Sequence, residues 1–391
     1  RDCRLSRGLG DVYKRQVEDC SELSGRAAAS THTLGQAHSW GQVLNLKRVL
    51  SSFIFATAFT SFVSAAEPSI QAVTFKHPDG RSAPAEIYID GEITPALPRQ
   101  LATALGANQI ERATIYINSV GGDLQAGLEL GEFIRKLGFN TAIGKRGHAQ
   151  GKPVPGSCQS ACLLVFAGGV YRFADSTAYF GIHRFFSRQS GPQDLALGQV
   201  LSAAITGYLI KMDVSPKLFQ RMVGAGAVLQ KLPVEEAVAL NLVNNGSHPA
   251  TWVIVGRGGE VFLQGEQKTW NGTGRMLIAC SRGGGLQVTA QYDADLNTSK
   301  ILAETKHIAL RLDAGFVGID PKTLVGATAI EDGFLTTRFS VTAGTAGAIG
   351  SATSIGFAWL PVGSSVFYGY DIPTSQHRDL VFSFASHCSK L

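Results

Sequence analysis

The chain is 391 residues long, enough for two domains, with 45% hydrophobic and 17% charged residues, the balance of an ordinary globular protein. Its net charge is +5, but residues 1–66 hold eight Lys/Arg against five Asp/Glu, so the rest is close to neutral. With no basic run and no basic-aromatic patch, that charge argues against a nucleic-acid partner.

In chain order, Ser6 to Gln16 (SRGLGDVYKRQ) reads as translated sequencing-library adapter, which points to a metagenome reading frame, and residues 1–42 show no periodicity worth a fold assignment. Residues 43–66 read as a signal peptide. Lys47 and Arg48 form its basic region, Val49 to Val63 its apolar core, and Ser64-Ala65-Ala66 its small-residue cleavage site. The competing readings of Val49–Val63, apolar except for small hydroxyl residues, are a buried helix or an uncleaved membrane anchor, and 15 residues are short for a spanning helix. The leader implies a periplasmic or secreted mature protein with no membrane partner once it is cleaved.

Strands and helices then alternate over residues 67–248. The pattern predicts strands at Ala85–Asp90, Thr114–Ile117, Asn140–Gly144 and Ala178–His183. It predicts helices at Pro95–Leu105, Asp123–Leu137, Ser160–Phe166, Gln193–Met212, Pro216–Val223 and Pro233–Leu240. Leu124, Leu128, Phe133, Ile134 and Leu137 give the second helix an apolar face, and Gly138 ends it. Such alternation implies parallel strands with helical crossovers. Residues 249–391 read differently. Short apolar or alternating runs, among them Thr251–Val255, Arg275–Cys280, Leu286–Tyr292, Leu335–Val341, Ile355–Leu360 and Leu380–Phe384, are punctuated by Gly, Asp and Asn. They predict an all-β sandwich or barrel. Asn271-Gly272-Thr273 is a glycosylation sequon, and Ser389-Lys390-Leu391 has the form of a peroxisomal address that the leader contradicts.

Cys3 and Cys20 precede the leader. Cys158, Cys162, Cys280 and Cys388 remain, and four cysteines allow three connectivities. The domain division favours Cys158–Cys162 and Cys280–Cys388 in an oxidising compartment. Cys158 and Cys162 are alternatively two free buried thiols. Neither has a second ligand at zinc-finger spacing, so no metal is expected.

Three short runs carry chemistry: Ile117-Asn118-Ser119-Val120-Gly121-Gly122, Cys158-Gln159-Ser160-Ala161-Cys162 and Gly181-Ile182-His183. A Ser, a His and a Gly-Gly turn, each where a strand meets a helix, are the parts of an acyl-transfer site. The plainer readings are a helix cap at Ser160 and a structural histidine at His183. The order IYIDGEI, TIYINSVGG, Gly-Ser-x-x-Ser opening a helix, GIH and LPVEEAVALNLVN resembles the Clp protease proteolytic subunit and the wider crotonase superfamily, over roughly Ala85 to Asn245. SACxxxFAGGxxR is similar to the secreted, periplasmic Clp-like proteins, which often carry extra domains.

The resemblance implies an α/β domain of repeated β-β-α units in a spiral, with the β domain appended. It implies a serine peptidase or hydrolase of peptide or protein substrates, a homo-oligomer, and no cofactor. Ser160 aligns with the nucleophile and His183 with the base. The oxyanion donors would be the N–H groups of Gly122 or Asp123, and of Ala161. The acidic third position falls near Met222, which cannot orient an imidazole; Asp213 and Asp194 are the nearby acids. Three readings stay open: a Ser–His dyad, a triad with a relocated acid, or an inactive relative serving as a binding scaffold. Ser157 is an alternative nucleophile, and a Ser–Lys dyad would draw on Lys145 or Lys152. A crotonase-type acyl-CoA enzyme needs no nucleophilic Ser, and its CoA is scarce outside the cytoplasm.

Overall fold

The computed structural model describes residues 68–76, 82–147, 153–185, 194–281, 285–313, 315–361 and 367–390. The adapter-like segment, the leader, Cys3, Cys20 and Lys152 therefore lie outside the described residues. Residues 63–391 cluster as one compact unit.

The first half is built on a five-stranded sheet. Strands β1 (Ser69–Lys76), β2 (Ser82–Asp90), β3 (Ala113–Asn118), β4 (Asn140–Ile143) and β6 (Arg172–Phe173) run in that spatial order. The pairs β2–β3, β3–β4 and β4–β6 are parallel, as the strand–helix alternation predicts, and β1 adds an antiparallel edge. Ile87, Ile89, Ile115 and Ile117 leave almost no surface exposed, which is why these runs are apolar at alternate positions. Beside this sheet lies a three-stranded one, with β7 (Tyr179–Ile182) between β5 (Ser157–Gln159), parallel to it, and β8 (Gln230–Leu232), antiparallel to it.

The helices are α1 (Leu97–Asn108), α2 (Leu124–Leu137), α3 (Cys162–Ala167), α4 (Asp194–Lys211), α5 (Lys217–Gly224) and α6 (Val234–Ala239). Helix α2 begins where the Asp123 carboxylate accepts the Ala126 N–H at 2.7 Å and ends at Gly138, φ 71°. Its most buried face is not the one its large side chains predict. Ala126, Gly127, Leu130, Gly131 and Ile134 are buried, Leu128 and Phe133 only partly, and Leu137 is exposed. The reason is close approach. A Cβ on Gly127 would lie 2.9 Å from the Ala161 carbonyl oxygen, and one on Gly131 would overlap the Tyr208 hydroxyl and lie 2.6 Å from the Leu164 carbonyl oxygen. The glycine stripe therefore lets α3, whose six residues are all buried, sit directly on α2.

Arg172 is fully buried. Its guanidinium donates to the carbonyls of Leu242, Gly169, Met212 and Asn241 at 2.8–3.3 Å. Burial, reinforced by nearby Arg135, lowers its pKa to about 10. Arg135 donates in the same way to the carbonyls of Ala167, Gly168, Gly169 and Met212. Together the two arginines tie the carboxyl ends of α3 and α4 to the segment after α6.

The second half has its own apolar core. A six-stranded antiparallel sheet has the order β15 (Ala329–Glu331), β16 (Phe334–Thr342), β12 (Gly285–Asp293), β11 (Gly272–Cys280), β10 (Glu260–Thr269), β9 (Thr251–Arg257). A four-stranded antiparallel sheet has the order β14 (Gly315–Gly318), β13 (Thr305–Leu312), β17 (Ser354–Pro361), β18 (Tyr368–Pro373). The sheets meet through ring contacts such as Phe339–Phe357 at 5.5 Å and Tyr292–Trp359 at 6.0 Å between centroids.

This half is not all-β, contrary to the sequence expectation. It carries helices α7 (Thr298–Glu304), α8 (Ala343–Ser351) and α9 (Arg378–Cys388). The strand expected at Leu380–Phe384 lies inside α9. Val381, Ala385 and Cys388 are buried at i, i+4 and i+7, a helical stripe that a five-residue apolar run does not reveal. The disulfide Cys280–Cys388 therefore ties β11 to a terminal helix rather than to a last strand, and Cys158 is bonded to Cys162. Among the described residues no helix is long and apolar enough to cross a membrane.

Candidate active site

Ser160 lies in the single turn between β5 and α3. Its φ is +54°, a left-handed conformation that costs a non-glycine residue roughly 1–2 kcal/mol and persists only where the surroundings impose it. Several contacts impose it here. The Ser160 N–H donates to the Gly181 carbonyl at 2.8 Å, and the Ser160 carbonyl accepts the Leu163 N–H at 3.1 Å. The Cys158–Cys162 disulfide closes the turn around it. Both cysteines are fully buried, so the two free thiols considered above are not what the fold contains.

The Gly-Gly turn lies against this serine. Ser119 exchanges backbone hydrogen bonds with β5, donating to the Ser157 carbonyl at 2.8 Å and accepting the Gln159 N–H at 3.0 Å. That register brings the next residues over the Ser160 turn. Gly121 and Gly122 have φ of 99° and 145°. A Cβ on Gly121 would lie 2.7 Å from both the Ser160 Cβ and the Gln159 carbonyl oxygen, and 3.3 Å from the Ala161 nitrogen. Only glycine fits there.

Two backbone donors were expected for an oxyanion pocket, the N–H of Gly122 or Asp123 and that of Ala161. One is committed elsewhere: the Asp123 N–H donates to the Ile93 carbonyl at 2.8 Å, while its carboxylate caps α2. The N–H groups of Gly122 and Ala161 take no hydrogen bond among the described residues. Of the two alternatives Gly122 and Asp123, this leaves Gly122 as the candidate donor to act with Ala161.

His183 follows β7. Gln159 on β5 pairs with Gly181 on β7, so Ser160 and His183 stand at the carboxyl ends of adjacent parallel strands. The His183 Nδ1 lies 2.9 Å from the Arg184 carbonyl oxygen, and the ring is tilted against Phe185 at 6.4 Å between centroids. The Ser160 hydroxyl takes no hydrogen bond among the described residues, so the nucleophile–base contact is not closed in this structure. Such contacts are often long before substrate arrives.

The candidate acids fare differently. Asp213 also has a positive φ, 53°, and its carboxylate faces Arg135 Nη1 at 3.4 Å. That guanidinium sits on the carbonyls at the carboxyl end of α3, whereas Ser160 precedes its amino end, about 9 Å away along a six-residue helix. Asp213 is thus a partner of the arginine staple and not of the histidine. Asp194 opens α4, and its side chain lies outside the described residues. Met222 is fully buried in the apolar core. Ser157 bonds Asn118 Oδ1 through its hydroxyl at 3.3 Å, within the strand and short of the glycine turn, and Lys145 pairs through its backbone with Val154. Among the described residues no three His, Cys, Asp or Glu side chains are grouped to hold a metal ion.

Sequence reasoning missed the Arg184 carbonyl and the arginine staple. The Gly-x-x-x-Gly spacing at Gly127 and Gly131 was the available signal for the close α2–α3 packing. No protein-family model and no curated protein matches the chain. Among solved structures, a point mutant of ClpP1 from Listeria monocytogenes is similar over 41% of this chain and 88% of its own, at 20% identity and TM-score 0.31. A mutant of the 1510-N membrane-bound stomatin-specific protease is similar over 40% of this chain and 75% of its own, at 15% identity and TM-score 0.30.

Proposed function

We propose that the chain is a serine hydrolase acting on peptide or protein substrates, with Ser160 as nucleophile and His183 as general base. The observation that carries the reading is the Ser160 turn: a strained left-handed serine with Gly121 packed against it, followed by Ala161, whose N–H, like that of Gly122, takes no hydrogen bond among the described residues. Strain of this kind in a nucleophilic residue is retained where chemistry uses it. In the proposed cycle, Ser160 Oγ attacks the scissile carbonyl carbon as His183 takes its proton. The two N–H groups stabilise the oxyanion, and His183 returns the proton to the leaving amine or alcohol. Water then repeats the sequence on the acyl-enzyme. No cofactor enters.

In this reading residues 67–248 form the catalytic domain, residues 249–391 the appended domain, and residues 43–66 a leader to the periplasm or outside. The pairing of all four mature cysteines fits that compartment. The second reading, a non-catalytic scaffold for protein binding, draws on the Ser160 hydroxyl that bonds nothing among the described residues and on Met222 at the acid position. A fluorophosphonate probe separates the two. Labelling of the purified mature protein that disappears in Ser160→Ala supports the hydrolase; absence of labelling in the wild type supports the scaffold.

A further inference from the structure

Two cysteines flank the nucleophile symmetrically. Cys158 stands two residues before Ser160 and Cys162 two residues after it, and they are bonded to each other. As a stabilising cross-link this bond is poorly placed. The entropy that a disulfide takes from the unfolded chain grows with the loop it closes, and this one joins residues only 4 apart, against 108 for Cys280–Cys388. What it encloses is the Ser160 turn.

The two cysteines sit at the fixed ends of that turn. Cys158 lies in β5, opposite Phe180 of β7 on one side and Ser119 on the other. Cys162 is the first residue of α3, whose six residues are all buried and which rests on the glycine stripe of α2. Among the described residues no side chain caps the amino end of α3; the disulfide ties that end to β5 instead. Both cysteines are fully buried. Two unbonded thiols need more room than two bonded sulfurs, and a close-packed interior does not supply it. With β5 pinned in its sheet and α3 pinned on α2, the segment free to yield is Ser160-Ala161. Ser160 holds a positive φ that a residue with a Cβ leaves when nothing imposes it, and the Gly121 backbone is packed against it.

We infer that the Cys158–Cys162 disulfide is the positioning device for the nucleophile, so that the site is assembled only in protein that has folded under oxidising conditions. The inference rests on the hydrolase reading. Formation of the bond takes two electrons and two protons from the two thiols and hands them to a disulfide oxidant, such as oxidised glutathione, which leaves as two thiols. Because both sulfurs are buried in the finished fold, the exchange happens while the chain folds. A copy that folds among reduced thiols keeps its strands and helices but holds Ser160 out of place against Gly121 and the Ala161 N–H. Displacement of a reacting group by about 1 Å costs on the order of 10² in rate. The protein is thereby silent in a reducing compartment and active in an oxidising one.

Trypsin releases residues 147–172 as one peptide, which carries Cys158, Ser160 and Cys162 together, so one mass reports both the link and the label. The mature protein is refolded in a glutathione buffer poised to leave the bond partly formed. Its compact fraction is collected by gel filtration, treated briefly with a fluorophosphonate, blocked with iodoacetamide and digested. The adduct should form at least about tenfold faster on the linked peptide than on the unlinked one. Cys158→Ala/Cys162→Ala should cut kcat on a p-nitrophenyl ester about 10–100-fold and leave KM within about twofold. Cys280→Ala/Cys388→Ala, the control, should lower the urea midpoint and leave kcat within about twofold. Equal labelling of linked and unlinked peptides overturns the inference and leaves the hydrolase reading intact. So does a compact fraction that is linked in every molecule, which would make the bond a condition of folding. Failure of the hydrolase reading looks different: neither form of the peptide is labelled, and the inference falls with it.

Discussion

Gly131→Ala adds one methyl group to α2, and the fold leaves it no room. The new Cβ would overlap the Tyr208 hydroxyl and lie 2.6 Å from the Leu164 carbonyl oxygen. These two atoms are hydrogen-bonded to each other at 2.5 Å, within a fully buried contact. Overpacking a core by one methyl typically costs about 1–3 kcal/mol. Driving the Tyr208 hydroxyl off Leu164 adds about 1–3 kcal/mol for a buried polar group left unpaired. Together these come to about 2–6 kcal/mol, of which alanine's better helix propensity returns about 1, so the substitution should destabilise by about 1–5 kcal/mol. Gly106→Ala makes the comparison fair. It lies in α1, has nothing within 4 Å of its would-be Cβ, and should stabilise by about 0.5–1 kcal/mol. Urea titration followed by far-UV circular dichroism reads both. A Gly131→Ala variant within about 0.5 kcal/mol of wild type would refute the close α2–α3–α4 packing, and with it the support beneath Ser160.

Other consequences follow from buried or linked groups. Met222→Asp puts a carboxylate into a fully apolar site, so it should lower stability by about 3–5 kcal/mol and give no gain in ester turnover; a tenfold gain would mean that His183 lacks an orienting group. Burial, aided by Arg172, lowers the pKa of His248, whose ring is tilted against Tyr171 at 5.2 Å between centroids. The unfolded chain therefore binds the proton first as pH falls, and stability should drop below about pH 6.5. His248→Phe keeps a ring against Tyr171 and should flatten that drop between pH 7.5 and 5; an unchanged slope in urea midpoints refutes the assignment. Cys280–Cys388 closes 108 residues of chain and should contribute about 4–5 kcal/mol. Peptide mapping without reductant should find the pair linked, and two free thiols would contradict it.

The sequence made the first half legible where period and punctuation agree. Alternating isoleucines marked β2 and β3, and Asp123 with Gly138 bracketed α2 almost to the residue. It misled where packing distance, not hydrophobicity, decides burial. The large residues of α2 predicted one face, but the glycines chose another, because they alone admit α3 at that distance. In the second half the run around Leu380–Phe384 was too short to separate strand from helix, and the stripe that decides it extends to Cys388. At the site, Ser160, His183 and the Gly-Gly turn were readable as residue types at strand ends. Their backbone commitments were not. Nothing in the letters shows that Ile93 consumes the Asp123 N–H, that Asp213 faces Arg135, or that a main-chain carbonyl stands at His183.

The most direct test of the account is active-site labelling. The mature protein is incubated with a fluorophosphonate and digested, and the modified peptide is sequenced by mass spectrometry. The account predicts a single adduct on Ser160, lost in Ser160→Ala and slowed by at least about tenfold in His183→Gln, since general-base assistance is worth 10²–10⁴. An adduct on Ser157, or an equal rate in His183→Gln, would contradict it.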